Sequence, residues 1–167
     1  MSTVEQATEI AERRGGKFLT FYLAGEEYGI EILKVHEIIG VLPVTRVPRT
    51  PEFILGVINL RGKVIPIMDL RRKFGMEPCE RTAESCIIVV QVGGVQIGAV
   101  VDRVSEVVAI APADVEDPPS FGGDVETAFL LGLGKSDGRV RLLLDIDRVL
   151  SSSEVVHLAD TVAGEAA

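Results

Sequence analysis

The sequence predicts a mostly-β protein built from two similar halves, each a small barrel or half-barrel, packed on a shared apolar core. Three observations carry that expectation. Hydrophobic residues make up 47% of the 167-residue chain and mean hydropathy is +0.31, yet the apolar runs are short and broken by Gly, Arg or Asp. That composition suits one ordinary globular domain and excludes disorder or a large multidomain enzyme. With 6 Phe, 2 Tyr and no Trp, the core must come from Val, Ile and Leu, and the β-branched members favour strands. The third observation is an internal duplication. Residues 17–38, KFLTFYLAGEEYGIEILKVHEI, align without gaps on 86–107 at an offset of 69. Residues 53–74, FILGVINLRGKVIPIMDLRRKF, align on 129–150 at an offset of 76, so the second half carries the longer middle loop.

The elements follow in order. Residues 1–16 form a tail with a weak helical pattern. FLTFYLA and YGIEIL read as a hairpin turning through Gly25-Glu26-Glu27. GVINLR and VIPIMD form a second hairpin around Gly62, followed by a short helix, LRRKF, capped by Asp69 and stopped at Gly75. The second half repeats the scheme, with turns in VGGVQIG and GKSDGRV and with Asp145 or Asp147 as the cap before IDRVL. Halves of about 17–80 and 85–150, with four or five short strands each, favour paired SH3-like barrels that can exchange strands. APADVEDPPSFGGD, residues 111–124, reads as a loop around Phe121, and residues 151–167 as a C-terminal helix or tail.

Charge narrows the possible partners. The formal net charge of -8 disfavours general adhesion to nucleic acid or anionic lipid. Residues 46–81 nevertheless hold eight basic side chains against four acidic ones, a local balance of +4 on a body that carries -12. A basic region of that kind suits a specific acidic partner or is a solvated face. The first residues are acidic where a secretory signal needs a basic and then an apolar stretch, which predicts a cytoplasmic protein with no direct membrane insertion. Cys79 and Cys86 lack metal-ligand spacing and are expected as reduced thiols, with no metal bound.

Catalytic patterns are not found. GLGKSDG, residues 132–138, has Phe129 where a phosphate-binding loop needs glycine, and the duplication accounts for it as a turn. His36 and His157 stand 121 positions apart with no nucleophile motif to recruit them. Asp69, Asp145 and Asp147 sit at strand-to-helix junctions and are read as caps rather than as an acid–base pair. The expectation is a binding protein, not an enzyme, with no cofactor.

The run NLRGKVIPIMDL (59–70), preceded by TRVPRTPEFILGVI and YGIEILKVHEI, resembles the bacterial chemotaxis coupling family, CheW. IGAVVDRVSEV in the second half resembles it too, and the likeness spans about residues 17–150. The resemblance implies two five-stranded SH3-like barrels on a shared core. It also implies an adaptor that couples the cytoplasmic hairpin tips of chemoreceptors to the regulatory domain of the histidine kinase CheA. Carried over position by position, the family's receptor site falls on Val35, Glu37, Ile38, Gly56, Asn59 and Arg61. Val35 and Ile38 would offer apolar contacts to a helical hairpin, Arg61 a fork for carboxylate or carbonyl oxygens, and Gly56 close backbone approach. Arg61 aligns with Asp137, so one half alone is equipped as the basic reader. Phe121 is the expected kinase contact. Such a protein would be cytoplasmic and recruited to membrane-associated receptor arrays. The alternatives are a small-barrel ligand-binding or regulatory module of another chemosensory system and, least favoured by charge, a nucleic-acid module.

Overall fold

In the computed structural model, residues 15–117 and 129–149 are described, and they form two sheets. The strands are β1 (Gly16–Leu23), β2 (Glu26–Glu31), β3 (Val35–Gly40), β4 (Ile54–Leu60), β5 (Lys63–Asp69), β6 (Cys86–Val92), β7 (Val95–Val101), β8 (Arg103–Ile110), β9 (Val115–Glu116), β10 (Leu130–Ser136) and β11 (Arg139–Leu144). One sheet has the order β8-β1-β2-β11-β10-β9 and the other β3-β6-β7-β5-β4. The expected mostly-β, two-unit fold is thus present, with ladders that run as six- and five-stranded sheets and are not closed by hydrogen bonds. The extra strand is β9, two residues of the segment expected to be loop, which pair with Leu133 and Gly134 after a 3-10 turn at Pro112–Asp114. The tail 1–14, the stretch 118–128 with Phe121, and residues 150–167 with the expected C-terminal helix lie outside the described residues.

Both sheets draw strands from both halves. The β1–β2 hairpin of the first half sits between β8 and β11 of the second, while β6–β7 of the second sits between β3 and β5 of the first. Two short parallel ladders make the seams: β5 against β7 through Ile67/Gly98 to Asp69/Val100, and β11 against β2 through Leu142/Tyr28 to Leu144/Ile30. These seams are related by the duplication, since Ile67 and Gly98 correspond to Leu143 and Gly29 at the two sequence offsets. At Gly98 a Cβ would stand 2.6 Å from Ile67 Cδ1 and 2.7 Å from Ile87 Cγ2, so the aliphatic side chains fill the space that a larger residue would need.

Burial explains the exchange. Strands β1, β6 and β7 are apolar on both faces, as strands covered on both sides must be. Their alternate residues divide between cores. Leu19, Phe21, Leu23, Ile88, Val90, Val92, Ile97 and Ala99 face the main core between the sheets. Ile87, Val89 and Val100 face a second cluster with Ile58, Ile65 and Ile67, and Phe18 joins Ile110 and Leu143 in a third. Stacked rings of Phe21, Tyr28, Phe74 and Phe129, with centroids 4.6–6.0 Å apart, run through the main core. The one polar side chain on the inner course of β1, Thr20, donates to the Glu106 carbonyl at 2.9 Å and accepts its N–H at 3.1 Å, so its hydroxyl is satisfied where β1 and β8 shift register.

Turns and caps form largely where the sequence places them. All four hairpins close through two residues with positive φ, the type I′ arrangement: Ala24-Gly25, Arg61-Gly62, Gly93-Gly94 and Asp137-Gly138. The first turn therefore falls one position earlier than expected, with Glu26 and Glu27 already in β2. The helix Leu70–Lys73 starts at Asp69, whose Oδ1 accepts the Arg71 N–H at 3.0 Å, and ends before Gly75 at φ +73°. In the second half Asp145 is the cap, accepting the Asp147 N–H at 3.2 Å ahead of the helix Ile146–Val149.

The two seams differ in one buried detail. At the outer end of the β2/β11 seam, Arg141 Nε lies 2.9 Å from Glu27 Oε1, with side chains only 2% and 7% exposed. Its alignment falls short of a hydrogen bond, and Glu27 Oε2 has no hydrogen-bond partner among the described residues. The duplication puts Ile65 and Gln96 at the same place in the other seam. Glu27 beside Ile65, or Arg141 beside Gln96, would be a buried charge without its counter-charge, so the pair distinguishes the correct seam from its mate. Arg141→Ile should cost about 3–5 kcal/mol in urea unfolding by stranding Glu27. Adding Glu27→Gln, which copies the sister seam, should recover most of that loss; a double variant as unstable as the single one would contradict the assignment.

Candidate functional site

The β4–β5 turn places Arg61 in the left-handed region at φ +52°, a conformation that costs a non-glycine residue about 1–2 kcal/mol. The corresponding positions in the other hairpins hold Ala24, Gly93 and Asp137. A long cationic side chain is therefore held at a backbone position that suits Asn, Asp or Gly better. Asn59 supports it. Its Oδ1 accepts the Gly62 N–H at 2.9 Å and ties the turn to the end of β4.

From that turn the Arg61 guanidinium reaches β3 and donates through Nη2 to Glu37 Oε1. Arg61 is 69% exposed and Glu37 24% exposed, so the pair sits at the rim of a groove and not in the core. With one nitrogen on Glu37, the guanidinium is a positioned fork; Nε and Nη1 remain for an incoming acceptor. His36 Nε2 lies 3.9 Å from the same Glu37 oxygen. Leu60, Lys63, Ile65 and Gln96 complete the walls of a groove of about 200 Å³.

The structure places the six expected receptor positions in different settings. Glu37, Asn59 and Arg61 come together through the turn and the ion pair. Val35, at the start of β3, is half-buried against the main core. Ile38 stands 43% exposed on the same strand, which among the described strands hydrogen-bonds only to β6. Gly56 is buried, at φ +145°, and a Cβ there would meet the Thr45 carbonyl oxygen at 2.0 Å. What approaches Gly56 is this chain's own segment: Thr45 and Val57 exchange backbone hydrogen bonds of 2.8 Å in both directions. Its glycine therefore seats residues 44–45 on β4. Sequence reading missed Gln96 and Lys63. Gln96 comes from the other half and becomes visible only once the hairpin exchange is known.

Two ion-pair clasps brace this frame. Arg71 Nε and Nη2 donate to Asp102 Oδ1 and Oδ2 at 2.8 and 2.5 Å, and Asp102 Oδ2 also accepts the Ala24 N–H at 2.9 Å. One carboxylate thereby joins the helix Leu70–Lys73, the start of β8 and the β1–β2 turn. The Arg71 hydrogen bonds, helped by the Ala24 N–H, hold the Asp102 carboxyl below its ordinary range, against the opposing effect of partial burial. At Asp147, which the duplication aligns with Arg71, Lys34 Nζ donates to Oδ2 at 2.8 Å, but that pair is more exposed. Nearby, burial raises the Glu31 carboxyl, and Asp145 and Asp147 add to the rise while Lys34 opposes it. Both cysteines are free, and no group of His, Cys, Asp and Glu able to hold a metal occurs among the described residues. No helix among those residues is long and apolar enough to cross a membrane.

Comparison with known proteins gives one consistent result. The family model of the CheW-like domain matches residues 17–154. The chemotaxis protein CheW of Klebsiella aerogenes is 44% identical over 152 residues, covering 91% of this chain and 91% of that protein. The Rhizobium meliloti protein of the same name is 36% identical over 140 residues, with 84% and 90% covered. The crystal structure of the scaffolding protein TtCheW from Thermoanaerobacter tengcongensis superposes with a TM-score of 0.76 at 37% identity, covering 84% of this chain and 95% of that one.

The Asp102 clasp predicts an acid signature. A carboxyl whose folded pKa lies below its unfolded value adds stability above the unfolded pKa, and that stability disappears as pH falls through the folded one. Asp102→Asn should lower the urea midpoint at pH 7, and the gap from the parent protein should close below about pH 4. A gap that persists unchanged to the lowest pH at which both proteins fold would assign the loss to packing instead.

Proposed function

The chain belongs to the CheW-like family, and from that membership we infer that it is a chemotaxis coupling adaptor, joining chemoreceptors to the histidine kinase CheA. The observation that carries the reading furthest is the coincidence of a near full-length family match with Arg61 held at a strained turn and aimed along Glu37. Backbone strain at a side chain that stabilises nothing buried is what a binding residue leaves behind. In this reading the hairpin tip of a receptor lies along β3 and the β4–β5 turn. Ile38 and the exposed edge of Val35 supply apolar contact, and Arg61 gives its remaining N–H groups to receptor carboxylate or carbonyl oxygens. Glu37 and Asn59 hold that fork in register, and Gly56 keeps the 44–45 segment seated behind it.

The regulatory domain of the kinase would take a different surface, in the second half, with Phe121 of the middle loop as its contact. An adaptor of this kind needs surfaces and no bond-making chemistry. It would work in the cytoplasm at receptor arrays, where the membrane anchor belongs to the receptor.

Arg61→Glu should weaken binding to a receptor signalling fragment by about 2 kcal/mol, roughly thirtyfold. Arg61→Gly should weaken it too, while leaving thermal stability equal or slightly higher because the turn loses a strained residue. Both are read by titration calorimetry and melting curves. Unchanged affinity in both variants would remove Arg61 from the receptor site.

A further inference from the structure

We propose that the arginine-lined cleft beside the helix Leu70–Lys73 is a binding site for a phosphoryl group, separate from the receptor groove. The cleft encloses about 260 Å³ and is walled by Arg46, Arg71, Arg72 and Arg81, with Ser85 and Glu80 among its other lining residues. That is several times the roughly 30 Å³ that a water occupies in the liquid, enough for a phosphoryl group with a small organic substituent. Part of the +4 charge balance of residues 46–81 is thereby gathered into a concave place rather than spread over a solvated face.

Half of these cations are already oriented. Arg71 is gripped by Asp102 through two nitrogens and gives a third, Nη1, to the Glu77 carbonyl at 3.1 Å. Arg72 Nε lies 3.5 Å from Asp69 Oδ2, which leaves its terminal nitrogens to the cleft. The other half has no internal counter-charge: neither Arg46 nor Arg81 forms an ion pair with any described residue. Arg46 enters from the segment before β4, Arg71 and Arg72 from the helix, and Arg81 from the connection to β6. Guanidinium groups converging from three chain segments suit a tetrahedral anion, whose three acceptor oxygens face several directions, better than a planar carboxylate that one fork can saturate. Carboxylates oppose this: Asp69 and Asp102, already engaged by Arg72 and Arg71, line the same cleft with Glu80, and together they set a ceiling on affinity. Free phosphate and a phosphomonoester present the same chemistry to such a site.

The test is a titration of the full chain with inorganic phosphate at constant ionic strength, followed by backbone amide NMR, with adenosine monophosphate in a parallel series. Saturable shifts centred on Arg71, Arg72, Arg81 and Ser85 are expected. Arg46→Glu combined with Arg81→Glu should weaken binding at least about tenfold with the melting temperature retained, and Glu80→Gln should tighten it. Alkylation of Cys79, which also lines the cleft, should slow as phosphate saturates it. Tighter binding of the nucleotide would identify an ester as the ligand, and equal binding would identify the free ion; both support the site. Shifts that rise linearly without saturation, or an affinity indifferent to the charge-reversed pair, would overturn it. Because receptor affinity is read separately through Arg61, failure here leaves the adaptor reading standing.

Discussion

The two parallel seams, β5 with β7 and β11 with β2, are the constraint from which the rest of the architecture follows. Each inserts a hairpin of one half between strands of the other, so neither sheet can be completed by its own half. The exchanged strands are then covered on both faces, which is why β1, β6 and β7 carry apolar residues on both sides and why the main core lies between the sheets. Small residues at matching positions, Gly98 opposite Ile67 and Gly29 opposite Leu143, let the seams close to packing distance. The groove at Arg61 depends on the same arrangement, since its wall combines Glu37 and Arg61 from one half with Gln96 from the other.

A duplicated frame does not produce two equal faces. Glu37 and Arg61 form an ion pair, whereas the duplication places Glu106 and Asp137, two carboxylates, at the related positions. The outer end of one seam is Ile65 with Gln96, and of the other a buried Arg141 with Glu27. One helix clasp is a bidentate, partly buried Arg71–Asp102 pair, whereas Asp147, which the duplication aligns with Arg71, takes a single, exposed contact from Lys34, one position beyond the match to Asp102. Backbone geometry is thus shared between the halves while side-chain chemistry has diverged. An adaptor requires that combination: a rigid body with two surfaces of different character, so that neither partner is drawn to the other's place.

Much of this was legible in the amino-acid order. The offsets of 69 and 76 identify the equivalent strands, Gly25, Gly62, Gly94 and Gly138 fall in the four turns, and Asp69 and Asp145 cap their helices, because all these features are local in sequence. Hairpin exchange was only one of the possibilities open to sequence. A two-faced apolar strand reads the same whether it docks in its own half or in the other. The pairs Glu27–Arg141 and Arg71–Asp102 join residues 114 and 31 positions apart, and no periodicity links them. The same holds for Gly56. A glycine can be read as room for a partner, and only the coordinates show the Thr45 carbonyl occupying that room.

An adaptor of this kind must hold two proteins at once. Sedimentation of the purified chain with a chemoreceptor signalling fragment and the regulatory domain of CheA tests this directly. The expected result is a species containing all three, with each binary affinity retained in the presence of the third component. Displacement of one partner by the other, or a chain that binds neither, would contradict it.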